Sequence, residues 1–209
     1  MRAFADLLDR LTFAPQRNAK LRLMEAYFRS APDPDRGWAL AALTSGLAFA
    51  NARRGVVREL VAERVDPVLF GLSRDYVGDT AETVALIWPK SDCGATPPTL
   101  GEVVARLRAA GRSEVHALLA SWLDRLDPSA RFALVKLITG GLRVGVSARL
   151  AKQAVANFAG VDIQRVEGAV ARSRAALRPA LRLVGGQGPR ARRLDEPALS
   201  PAHAGQSTE

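Results

Sequence analysis

An all-α fold is predicted for this chain: a multi-helix domain of antiparallel helices joined by short turns, followed by a disordered C-terminal tail. Three observations carry the prediction. Apolar residues recur at helical spacing, with Phe4, Leu7, Leu8 and Leu11 on one face and Leu21, Leu23, Met24, Tyr27 and Phe28 in the next segment. Helix starts are written repeatedly as an acidic acceptor followed by proline, at Asp33-Pro34, Asp66-Pro67 and Asp127-Pro128. There the carboxylate takes the N-cap and the proline takes N1, where its missing amide hydrogen costs nothing. The period-two alternation that marks strands is scarce.

Taken in order, the apolar faces define helices over 2–12 and 17–30, and the Asp33-Pro34 start gives a third over 34–44. A fourth is expected over 52–63, and Asp66-Pro67 opens a fifth over 67–75. Asp79 with Glu82, and Thr99 with Glu102, read as capping boxes for helices over 79–87 and 100–110. Between these two, the stretch PKSDCGATPP, Pro89 to Pro98, breaks the rhythm and reads as an exposed connection between two helical halves. Helices over 113–125, 128–139, 148–158 and 162–172 complete the series. From Gly168 the text becomes rich in Ala, Arg, Gly and Pro, without an aromatic residue. Such a segment cannot bury enough surface to offset its ordering entropy. The expected division is therefore a helical domain over 1–167 and a low-complexity tail over 168–209, which also reads like an out-of-frame translation of a GC-rich gene.

At 209 residues and 48% hydrophobic content, the chain is long enough to bury one core. Its formal charge of +9 arises from 30 Lys and Arg against 21 Asp and Glu. Nearly all the positive charge is arginine, because lysine stands only at Lys20, Lys90, Lys136 and Lys152. The planar guanidinium fork suits phosphate, although a GC-rich genome also enriches arginine. Charge alone is compatible with nucleic acid, an anionic membrane or neither.

The single Cys93 excludes an internal disulfide framework and a multi-cysteine zinc site, and His116 and His203 are too separated to suggest a metal centre. Asp75, Asp79 and Glu82 form an acidic group that helix-end roles explain, and Trp38, Trp88 and Trp122 fall among aliphatics as core residues do. The start, MRAFADLLDRL, carries Asp6 and Asp9 where a signal peptide needs an apolar core. No stretch approaches the roughly 18 apolar residues of a membrane span. A cytoplasmic protein with no membrane partner is expected.

The segment KLITGGLRVGVSARL, Lys136 to Leu150, is the most informative. From Pro128 to Val161 there is no acidic residue, whereas Arg131, Lys136, Arg143, Arg149 and Lys152 are all basic. Gly140 and Gly141 can end one helix by adopting positive φ, and Ser147 can cap the next, which leaves LRVGV as a tight connector. Backbone amides near Gly141, Gly145 and Ser147 are then expected to be free to donate, beside the forks of Arg143 and Arg149 and the anion-favouring end of a helix. The residues of a nucleotide P-loop are absent. A duplex or single-strand backbone is the ligand that amides and guanidinium groups read without reading sequence. The same spacing also describes an ordinary helix–turn–helix corner with solvated arginines.

KLITGGLRVGVS resembles the signature of the N-terminal DNA-binding domain of ATP-dependent DNA ligases, in which a Gly-rich turn followed by Leu-Arg-aliphatic-Gly joins two helices at the DNA backbone. Gly78-Asp79-Thr80-Ala81-Glu82 resembles that domain's Gly-Asp helix start, and Arg17-Asn18-Ala19-Lys20 its early basic helix. The run from Met1 to about Glu167 is similar in order and spacing to the bacterial members. The resemblance implies an all-helical domain that grips nicked duplex DNA, independently of sequence, through the sugar-phosphate backbone of the minor groove. The implied nucleic-acid-binding residues are Lys136, Gly140, Gly141, Arg143, Gly145, Ser147, Arg149 and Lys152, with Arg17 and Lys20. It further implies a place in nick sealing during DNA repair, replication and recombination.

The family's catalysis resides in a downstream nucleotidyltransferase domain whose Lys-x-Asp-Gly motif forms a lysyl-AMP with ATP and a divalent metal, followed by an OB-fold domain. Lys90-Ser91-Asp92-Cys93 is a near miss with cysteine in place of glycine, and it precedes the DNA-binding signature where the family's motif follows it. The expectation is a domain truncated before its catalytic partners, which are normally in the same polypeptide, with no cofactor and no activity of its own. Two other classes compete. A helical protein-interaction scaffold lacks the fixed 34- or 40-residue period it would show, and a complete small enzyme lacks a nucleophile, a metal site and a nucleotide loop.

Overall fold

The computed structural model describes residues 1–89 and 96–176. Lys90, Ser91, Asp92 and Cys93, and residues 177–209 of the expected tail, lie outside the described residues. The described chain is built of eleven helices. They are α1 (Arg2–Phe13), α2 (Arg17–Ser30), α3 (Asp35–Leu43), α4 (Arg54–Arg64), α5 (Pro67–Val77) and α6 (Thr80–Ile87). After the linker come α7 (Leu100–Ala109), α8 (Arg112–Arg125), α9 (Pro128–Thr139), α10 (Ala148–Ala159) and α11 (Ile163–Ala176). Each corresponds to a helix expected from periodicity, with ends displaced by a few residues at most.

The caps explain why the helices begin where they do. Asp66, Asp127 and Ser147 accept from the amides of Leu69, Ala130 and Leu150 at the starts of α5, α9 and α10. Thr99 and Glu102 form both halves of a capping box on α7. Asp79 accepts from Ala81 and Glu82 on α6. The start of α3 departs from expectation: Pro34 is the N-cap, and Asp33 makes no capping bond. The acidic residue that matters there is Asp35, whose carboxylate accepts from Leu100 at 3.2 Å and Gly101 at 2.7 Å and so caps α7 from another helix. A Cβ on Gly101 would lie 2.8 Å from both the Asp35 Oδ1 and the Pro34 Cγ, so α3 and α7 approach this closely only with glycine there.

One hydrophobic cluster joins most of the helices. Phe4, Leu8 and Leu11 of α1, Met24 and Phe28 of α2, Leu40, Leu60, Leu100 and Leu107, and Leu119, Trp122 and Leu123 of α8 are its largest fully buried members. Trp38 and Trp88 are buried as well, as their setting among aliphatics predicts. The main packed pairs are α2 with α10, α6 with α9, α1 with α9 and α2, α3 with α7, and α4 with α8. Helix α5 differs, for none of its residues is buried, and Val68, Leu69, Leu72 and Tyr76 form an apolar face directed outwards.

The boundary expected after residue 167 falls inside a packed helix. Val166, Ala169 and Val170 recur at the spacing that marks one helical face, all three are buried, and α11 runs on to Ala176 against α10. Helix α10 in turn buries Leu150, Ala151, Ala154 and Val155. Its packing on α2 fixes the α9–α10 connector beside the first turns of α2.

Candidate nucleic-acid interface

The connector begins where α9 runs into Gly140, whose φ of 71° is the left-handed conformation that ends a helix. The amides of Gly140 and Gly141 both return to the Lys136 carbonyl, Gly141 at 3.3 Å. The Gly141 amide is therefore engaged in the helix cap, contrary to the expectation that it is free to donate. Arg143 donates its amide to the Gly141 carbonyl at 2.7 Å, closing a three-residue turn about Leu142. Val144 is buried, Gly145 returns to a positive φ of 63°, and the Ser147 hydroxyl accepts from Leu150 at 3.2 Å. The amides of Gly145 and Val146 have no hydrogen-bond partner among the described residues.

Two cations from remote helices hold this connector. Lys20, on α2, is only 9% exposed, and its ammonium donates to the carbonyls of Val144 at 2.7 Å and Gly145 at 3.1 Å. Arg54, at the start of α4, donates to the Thr139 carbonyl at 3.2 Å and so covers the end of α9. Neither contact is signalled in the sequence, because the partners are separated by 124 and 85 positions.

The five basic residues of the acid-free run do not share one surface. Arg131 is 5% exposed and turns inward, donating to the Leu123 carbonyl at 2.7 Å. Burial pulls its pKa down, against the charges of Asp124 and Asp127. Lys136 donates to Asp79 and lies 5.3 Å from the centre of the Phe132 ring. Partial burial pushes the Asp79 carboxyl up, but the hydrogen bond and charge of Lys136 and the Glu82 and Ala81 amides outweigh it and hold the pKa below the ordinary value. Lys152 pairs with Glu167 of α11 at 3.3 Å. Arg143 and Arg149 remain exposed, with no side-chain hydrogen bond or ion pair among the described residues.

Of the residues expected at the interface, the structure thus brings Gly140, Gly141, Arg143, Gly145, Ser147 and Arg149 together around one turn. Lys136 and Lys152 flank it with carboxylate partners. Lys20 lies behind the turn as a buried clamp, where the sequence suggested a surface cation. Arg17 is exposed at the first position of α2, one helical turn before Lys20 and on the same face. Arg54 is the addition that sequence reasoning missed.

A family model described as DNA ligase N terminus matches residues 1–156, a span that includes the whole connector and both helices flanking it up to Ala156. Among curated proteins no match to the chain is found.

Proposed function

Since the chain belongs to the DNA ligase N-terminal family, we propose that it binds duplex DNA by the sugar-phosphate backbone and serves the sealing of nicks in repair, replication and recombination. The observation that carries the reading is the turn from Gly140 to Ser147. Two guanidinium groups, Arg143 and Arg149, flank amides at the capped start of α10, and none of these groups has a partner among the described residues. Helix N-terminal amides and arginine forks are the groups that bind phosphate without reading base sequence. The net charge of +9 supplies long-range attraction to the same polyanion.

Binding through phosphates releases condensed counterions, so affinity falls as salt rises. The test is a fluorescence anisotropy titration of labelled duplexes, intact and nicked, across a range of ionic strength. The reading expects binding that is indifferent to base sequence and weakens steeply with salt. Affinity unchanged between low and physiological salt would contradict it. Catalysis of nick sealing belongs, on this reading, to nucleotidyltransferase chemistry with ATP and a divalent metal, for which this helical domain supplies the grip on the duplex.

A further inference from the structure

Resting on that duplex-binding reading, we propose that Lys20 is a positioning residue: it draws two carbonyls of the connector inward and thereby turns the amides of Gly145 and Val146 outward to receive a phosphate beside Arg143.

The argument starts from the peptide unit. In a trans peptide the C=O and N–H point to opposite sides. Among the described residues the only cis peptide is Asp33–Pro34, so both peptides concerned are trans. The Val144 carbonyl shares its peptide with the Gly145 amide, and the Gly145 carbonyl shares its peptide with the Val146 amide. Lys20 binds both carbonyls from the buried side of the turn. The two amides are therefore directed away from the core, and neither meets an acceptor among the described residues. Outward-facing backbone amides in a turn are donors that can receive an anion.

Charge reinforces the geometry. Lys20 has no carboxylate partner among the described residues, so its positive charge is held by carbonyl dipoles and stays unneutralised beneath the turn. Without it the same carbonyls would be free to rotate outward and repel a phosphate. The identity of residue 145 follows from the clamp. A Cβ there would lie 2.5 Å from the Lys20 Nζ, at a φ that side chains rarely adopt. Lys20 and Gly145 are thus two parts of one device, contributed by α2 and by the connector between α9 and α10.

The test uses the full chain and a labelled nicked duplex, with Lys20→Met, Arg143→Ala, Arg17→Ala and their pairwise combinations. Lys20→Met is expected to weaken binding about tenfold, the equivalent of one hydrogen bond to a charged group. Because the clamp acts through the turn, Arg143→Ala should then cost much less in the Lys20→Met chain than in the parent, whereas Arg17→Ala should cost the same in both. A clamp with a purely structural role would lower the melting temperature and leave the Arg143 effect undiminished. If Lys20→Met does not fold, by circular dichroism, Gly145→Ala carries the test, since it keeps the ammonium and disturbs its seat. The same loss and the same coupling to Arg143 are expected. Parental affinity in a folded variant of either kind, or strict additivity with Arg143→Ala, overturns the positioning role. Failure of the parent chain to bind duplex at all would instead sink the duplex-binding reading on which the role rests.

Discussion

The ammonium of Lys136 donates to the carboxylate of Asp79, a residue 57 positions earlier, and so ties the last turn of α9 to the first turn of α6. The same carboxylate already caps α6 through the amides of Ala81 and Glu82. One side chain thus satisfies two free helix amides and a cation whose side chain is only 12% exposed. What reads along the chain as an unopposed basic run is opposed in space, and the charges left for a ligand are those of Arg143 and Arg149.

Replacing Asp79 should therefore cost more than replacing an ordinary N-cap. Asp66→Ala, at an exposed cap, is expected to lower stability by about 1 kcal/mol. Asp79→Ala removes a cap and also leaves Lys136 partly buried without its counter-charge, for a total of roughly 2–3 kcal/mol. Urea denaturation of the two variants checks the difference, and equal losses would show that the ion pair adds nothing to the cap.

The same pair sets a pH dependence. The folded Asp79 pKa lies below its ordinary value, so the folded state favours the carboxylate. Its contribution is complete above the unfolded pKa, about 4 for an aspartate, and is lost as the pH falls through the folded pKa. Stability measured from neutral pH downwards should hold until about pH 5 and then decline. Asp79→Asn, which keeps a capping oxygen, should make the decline shallower, and an unchanged acid limb would exclude Asp79 as a contributor.

Glycine substitutions test the packing with opposite signs. Gly101→Ala places a Cβ against the Asp35 carboxylate and the Pro34 ring, and overpacking of this kind costs about 1–3 kcal/mol. Gly71→Ala, within α5, meets nothing within 4 Å, and the reduced freedom of the unfolded chain should stabilise the protein by about 0.5–1 kcal/mol. Thermal melts of the two variants should move in opposite directions. A rise for Gly101→Ala would mean that α3 and α7 are not in close contact in solution.

The fold was legible because its determinants are local. The Asp-Pro starts of α5 and α9, the Thr99 and Glu102 box and the Ser147 cap all act within one helical turn, and sequence displays them directly. The site was legible only in part, for the same reason. Gly140 at a helix end and Ser147 at a helix start locate the connector, and Arg143 lies between them. Whether a cation is free depends instead on tertiary partners: Glu167 for Lys152, Asp79 for Lys136, and the Leu123 carbonyl for Arg131. Lys20 shows the limit most clearly. Its basic character in the sequence suggested a surface contact, and its burial against Val144 and Gly145 makes it part of the support.

This division of labour yields the sharpest expectation, the contrast between Arg143 and Lys136. Arg143 is exposed on the connector and its guanidinium has no partner among the described residues, so removing it breaks no contact seen there. Arg143→Ala should weaken duplex binding by about 1.5–3 kcal/mol, the range for a hydrogen bond to a charged group. It should also reduce the salt slope by about one counterion and leave the thermal midpoint in place. Lys136→Met is expected to do the reverse, lowering stability by leaving Asp79 without its cation while the salt slope barely changes, because that charge is already matched within the protein. Arg112→Ala, at the exposed start of α8 and with no side-chain hydrogen bond or ion pair among the described residues, serves as the control for a lone surface charge, whose effect is screened over about 10 Å at 0.1 M salt. Equal losses of affinity from Arg143→Ala and Arg112→Ala would reduce the turn to a structural corner in a basic protein.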